Sequence, residues 1–153
     1  LGGFWWQLMS NSGNQLAAKD VSAAQCKANL KTLCVGANTS AIPKTWERMQ
    51  LYNIPSGGEH TTAENFTDYT AEFLLTRGPY ALLGYSWCGC TNGQDMRPRA
   101  KEWDHDYGEP TNGAVCTETS TGSGVFEREW SLATVQWDCN AKAGTQHGKI
   151  TMK

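Results

Sequence analysis

The chain has 153 residues and a formal net charge of −2, enough for one ordinary domain but well short of the ~250 residues of a complete (β/α)8 barrel. Its lysines and arginines are scattered, so no basic face collects phosphates and nucleic acid is not an expected partner. The longest apolar stretches, such as Phe73–Leu75 and Tyr80–Tyr85, fall far below the roughly 18 residues of a membrane span.

The chain opens at Leu1 with neither an initiator methionine nor a charged region leading into an apolar core. The expectation is therefore of a segment whose targeting signal, and further sequence with it, lies upstream. Gly2–Met9, aromatic-rich and bounded by glycines and by "SNSGN", predicts a short buried strand. From Ser22 the period changes. Ser22 and Gln25 make a candidate capping box, and Ala24, Ala28, Leu30 and Leu33 fall near helical spacing. Met49–Ile54 predicts a second strand, stopped by Pro55. Thr61 with Glu64 suggests another box, followed by a helical stripe of Phe66, Tyr69, Phe73 and Leu74 that ends at Arg77-Gly78-Pro79. Tyr80–Trp87 is the third expected strand.

Strand, helix, strand, helix, strand favours right-handed crossovers and a parallel sheet. After Cys90 the rhythm breaks into turn formers, with one short helix expected near Arg99–Trp103. Beyond that, "GVFEREWSLATVQWDCNAKAG" and "GKITMK" predict two or three antiparallel strands. Three crossover strands close no barrel, so an apolar face of the sheet needs cover, from an upstream part of the same precursor or from a partner subunit.

The six cysteines, Cys26, Cys34, Cys88, Cys90, Cys116 and Cys139, form an even set without paired zinc-knuckle spacing, which favours disulfides over a metal. Sequons at Asn38 and Asn65 agree with an oxidising, extracellular compartment and with glycans. Spacing alone allows a Cys26–Cys34 bridge if the helix bends near Leu33, with Cys90–Cys116 and Cys88–Cys139 as the remaining pairs.

Chemistry is thinly marked. Ser86 stands in a near match to a nucleophile elbow, with Asp138 and His147 following in hydrolase order, but Cys88 occupies the place of a small residue. Asp104, Asp106 and Glu109 crowd together in "DHDYGEP", yet Gly108 and Val115 occupy ligand positions of an EF-type calcium loop. A turn whose aspartates accept backbone N–H bonds is the expected use. His60, His105 and His147 share no spacing, and neither a metal nor a cofactor is expected. The seven tryptophans are the most suggestive feature, because carbohydrate sites set flat aromatic faces against sugar C–H groups. In a parallel sheet the ligand lies outside the carboxyl ends of the strands. Trp5, Gln7, Tyr52, Asn53 and Trp87 are therefore the candidate substrate-binding residues. Glycoside hydrolysis normally takes two carboxylates. Glu59, after the second strand, is the nearest weak candidate, and the principal acids are expected upstream of Leu1.

The stretch "AEFLLTRGPYALLGYSW", then "EWDHDYGEP", then "GVFEREWSLATVQWDCNAKAG" resembles the C-terminal part of a diffuse group of secreted TIM-barrel glycoside-hydrolase-like proteins. The resemblance spans about residues 60–150 and rests mainly on Asp106–Pro110 and Phe126–Val135. It implies the C-terminal portion of a (β/α)8 barrel: about three strands within 1–95, then a loop and antiparallel tail over 96–153. The alternative architecture is a small disulfide-stabilised α+β module. The expected function is binding or hydrolysis of a polysaccharide outside the cell, and the rival is a non-catalytic structural or lectin-like protein on a barrel scaffold.

Overall fold

A computed structural model describes residues 6–8, 21–34, 49–54, 66–85, 100–111 and 115–153. The elements run β1 (Trp6–Leu8), α1 (Ala23–Leu33), β2 (Met49–Ile54), α2 (Phe66–Thr76), β3 (Ala81–Tyr85), a 3-10 turn (Lys101–Asp104), β4 (Thr117–Glu118), β5 (Val125–Glu129), β6 (Ala133–Asp138) and β7 (Gly148–Met152).

β1, β2 and β3 pair in sequence order and run parallel, so the expected crossover unit is present. β4 to β7 form a separate antiparallel meander of four strands, one more than the sequence predicts. The addition is β4, only two residues long, which pairs with β5 across the Gly- and Ser-rich turn at 119–124. Among the described residues the architecture is thus mixed α/β, with two α-helices lying between two sheets.

The start of α1 follows from its cap. Ser22 keeps an extended backbone and its Oγ accepts the Gln25 N–H at 3.2 Å. The box does not close, because the Gln25 amide turns instead to Asn29 Oδ1 at 2.7 Å. Cys26, Leu30 and Leu33 form the buried stripe of α1.

α2 buries more than the single stripe expected of it. Ala71, Leu74 and Leu75 pack on the inner face of the antiparallel sheet. On another side of the helix, the Phe73 ring meets Tyr52 edge-on at 5.2 Å and Thr76 Oγ1 meets the Tyr52 hydroxyl at 2.8 Å. Phe66, Tyr69 and Phe73 are only half-buried, whereas Thr70, Glu72 and Thr76 are buried. A helix held between two sheets has no fully solvated face, which is why its buried positions depart from one amphipathic stripe.

The main core lies between the helices and the antiparallel sheet. β5 and β6 alternate strictly, turning Phe126, Arg128, Ala133, Val135 and Trp137 inward. Arg128 is the exception to an apolar face, and its position explains it. Its Nη1 donates to the carbonyls of Leu74 at 2.9 Å, Leu75 at 3.3 Å and Arg77 at 2.8 Å, supplying the C-terminus of α2 with the donor it lacks. The guanidinium carbon stands 4.9 Å from the centre of the Trp130 ring, and that of Arg77 stands 5.0 Å from the same ring. Burial, with the neighbouring Arg77 charge, pushes the Arg128 pKa down to about 10, which still leaves it charged at neutral pH.

Two disulfides join α1 to the tail, Cys26–Cys139 and Cys34–Cys116. This overturns the expected Cys26–Cys34 bridge and the partners expected for Cys116 and Cys139. The reason is helical rise: eight residues along α1 place Cys26 and Cys34 ~12 Å apart, about twice the Cα separation a disulfide spans. Both face the antiparallel sheet instead, so each reaches a cysteine there. Cys88 and Cys90 lie outside the described residues.

Candidate functional site at the carboxyl edge of the parallel sheet

α2 carries the chain from the end of β2 back to the start of β3, so its first turn stands at the carboxyl edge of the sheet. Its last residue, Thr76, is bonded to Tyr52 in mid-strand. Phe66 lies ~15 Å further along the helix axis, beyond the strand ends. This edge is where open parallel sheets hold ligands.

The 3-10 turn packs against the same end of α2. Trp103 meets Phe66 edge-to-face at 5.9 Å, and its Nε1–H donates to Thr70 Oγ1 at 3.2 Å. The indole is thereby fixed at its polar end while remaining partly exposed. Thr67 Oγ1 donates to Glu102 Oε1 at 2.9 Å, and the Tyr107 hydroxyl donates to the Glu102 carbonyl. Burial, with Glu102 nearby, pushes Tyr107 up to about 12, so its hydroxyl keeps its proton at neutral pH.

Asp68, also in the first turn of α2, is buried and turned toward β7. Its carboxylate accepts the Gly148 N–H at 2.7 Å and the His147 N–H at 3.1 Å. Desolvation raises its pKa despite those two bonds and the nearby imidazole, which act the other way. The His147 ring stacks on Trp137 at 5.5 Å with Nδ1 2.9 Å from the Asp138 carbonyl, so Asp138 and His147 serve the tail.

Tyr52 requires a correction. Only 2% of it is exposed, its ring is packed under Phe73 and its hydroxyl is spent on Thr76. Burial holds its pKa well above the usual phenol range. It is a core residue beneath the helices and offers nothing to a sugar. Gln7 and Asn53 are described as backbone positions, and the register places them on opposite faces: Gln7 pairs with Gln50, and Asn53 pairs with Gly84. Trp5, Glu59 and Trp87 lie outside the described residues, as do Ser86, His60 and the sequons at Asn38 and Asn65.

The acidic loop behaves as a turn. Asp106 Oδ1 accepts the Gly108 N–H at 2.8 Å, and Gly108 itself has a φ of +73°. The loop is knitted to the β5–β6 turn through Glu109 N to Ser131 Oγ at 3.0 Å and Ser131 N to the Glu109 carbonyl at 2.8 Å. Among the described residues there is no group of three or more His, Cys, Asp or Glu side chains able to hold a metal ion. No described helix is long and apolar enough to cross a membrane.

Sequence reasoning missed Trp103, Glu102 and Asp68 at this edge. A fixed tryptophan beside a polar helix end was visible only as a lone aromatic in a turn-rich stretch, and nothing local tied it to Thr70, 33 residues away. No protein-family model and no curated protein matches the chain.

Proposed function

We propose that this chain is an extracellular, carbohydrate-active module of the glycoside-hydrolase-like kind. In this reading β1–β3 are strand–helix units of a (β/α)-barrel type, and a sugar lies across the carboxyl edge of their sheet. The observation that carries the reading is the Phe66–Trp103 pair at that edge, with the indole fixed through Thr70 and Thr67 and Glu102 beside it. A rigid, partly exposed indole flanked by hydroxyl and carboxylate groups suits the mixed apolar and polar surface of a sugar ring. Two disulfides support the extracellular setting, because such bridges persist in oxidising compartments.

One observation favours the second reading, a lectin-like protein that binds without cleaving. Two carboxylates described at this edge are engaged in holding the fold, Asp68 on the N–H groups of His147 and Gly148, and Glu102 on Thr67. Glycoside hydrolysis needs one carboxyl group as acid and another as base or nucleophile.

Affinity electrophoresis of the chain through gels loaded with soluble polysaccharides, paired with a reducing-end assay on the same polymers, tests both. The carbohydrate reading expects retardation by at least one polymer, with retardation lost in Trp103→Ala and kept in Tyr52→Phe. Release of new reducing ends selects hydrolysis over binding alone. Free migration through every polymer sinks the carbohydrate reading.

A further inference from the structure

Arg77 follows the last turn of α2, its own N–H still bonded to the Phe73 carbonyl at 2.8 Å. An arginine in such a place usually donates to the terminal carbonyls of its helix. Here Arg128 of β5 takes that role, its Nη1 reaching the carbonyls of Leu74, Leu75 and Arg77 itself. The Arg77 guanidinium is held by aromatic rings instead. Its central carbon stands 5.5 Å from the centre of the Phe73 ring and 5.0 Å from that of Trp130. Stacking of this kind uses the flat faces of a guanidinium and leaves the five N–H donors in its plane for another group.

A second positive charge stands beside it. Arg128 lies 4.9 Å from the same Trp130 ring, and the Arg77 charge contributes to lowering its pKa. The acids of the neighbouring elements are directed elsewhere. Glu127 and Glu129 alternate along β5 with the inward Arg128, and on the outer face Glu127 accepts from Gln136 and Glu129 from Lys153 and Thr134. Glu72, five residues before Arg77, stands about 140° round the helix from it. Among the described residues, no carboxylate is paired with the Arg77 guanidinium. Two like charges gathered at one indole repel each other, and an anion bound there reverses that cost.

We infer that the Arg77 guanidinium, framed by Phe73 and Trp130 with Arg128 beside it, binds a divalent oxyanion, a sulfate or phosphate group. Arg77 supplies the donors, in the fork geometry that matches two oxygens of such a group. Arg128, whose Nη1 is committed to the helix end, contributes its charge. Two positive charges favour a divalent anion over a carboxylate, which neutralises one of them. The site stands at the opposite end of α2 from Phe66 and Trp103. It goes beyond the carbohydrate reading and is measured with no sugar present, so either can fail alone.

The test is a titration of the oxidised chain, labelled with 15N-arginine, followed by NMR of the Nε–H signals. The Arg77 signal is assigned by its absence from Arg77→Lys. Sodium sulfate is compared with sodium acetate and sodium chloride at equal ionic strength. A saturable shift of the Arg77 signal is expected with sulfate, and a weaker one or none with the monovalent salts. Equilibrium dialysis with radiolabelled sulfate should show affinity falling about tenfold or more in Arg77→Met, which keeps a side chain against the rings but removes the fork. A non-reducing disulfide map checks that each variant folds. Dextran sulfate and plain dextran then separate the sources of the anion. A shift at lower sulfate concentration with the sulfated polymer makes a sugar ester the ligand, and equal potency makes it the free ion. A response that is linear and alike for all three salts overturns the inference, and so does sulfate binding unchanged in Arg77→Met. An Arg77 signal already held by a carboxylate of the chain before any sulfate is added overturns it as well.

Discussion

Asp68 holds α2 to β7 at the cost of a buried carboxyl group. Its folded-state pKa is raised by desolvation, so the fold favours the protonated form more than the unfolded chain does. That contribution to stability is fully present below the usual carboxylate range and is lost as pH rises through the raised pKa. Comparing urea unfolding of the wild type and Asp68→Asn between acid and neutral pH should therefore show the wild type losing ground to the variant as pH increases; a difference that grows in favour of the wild type contradicts the assignment. Beside Asp68, Gly148 has no room for a side chain, because a Cβ there would lie 2.5 Å from Ala71 Cβ. Gly148→Ala should destabilise by about 1–3 kcal/mol through forced separation of α2 and β7, read from the denaturation midpoint. Arg128→Met removes the donor shared by three carbonyls at the end of α2 and should cost about 3 kcal/mol or more, which thermal unfolding would register. None of these three roles was legible in sequence. An aspartate in a first turn, a glycine before a β-branched run and an arginine in an alternating strand are ordinary locally, and their partners lie more than 50 residues away.

At the scale of elements, what was legible depended on local signals. Ser22 marked the start of α1, Pro55 marked the limit of β2, and alternation marked β5 and β6, because capping, proline geometry and pleat are written within a few residues. Of the expected strands Gly2–Met9 and Tyr80–Trp87, Trp6–Leu8 and Ala81–Tyr85 are strand and Tyr80 is not, while residues 2–5, 9, 86 and 87 lie outside the described residues. Cysteine pairing was not legible, since separations of 113 and 82 residues carry no mark in the chain. Both bridges clamp α1, one near each end, to the antiparallel sheet. Replacing Cys26 and Cys139 together with serine leaves the inner bridge closed, so the outer one spans only a short residual loop. The loss is expected to be about 4 kcal/mol, less than the ~5 kcal/mol of an isolated bridge of that span, and calorimetry of the double variant checks it.

For the whole molecule, stability is unevenly placed. Among the described residues, the disulfides and the cluster of Trp130, Trp137, Phe126 and Val135 belong to the helices and the antiparallel sheet, and a second cluster around Leu33 and Tyr52 joins the helices to the parallel sheet. Native-state hydrogen exchange should find its slowest amides in β5, β6 and α2 and faster ones in β2 and β3, and the reverse order would show that the core has been misplaced. The nesting of the two bridges, Cys34–Cys116 inside Cys26–Cys139, has a further consequence. A protease that severs the backbone anywhere between residues 34 and 116 releases nothing, because the halves stay tied at two points. Such a nick is invisible on a non-reducing gel and yields two bands only after reduction. Molecules cut in this way would keep α1 stapled to the tail and travel as intact protein, with the damage hidden until the bridges are opened.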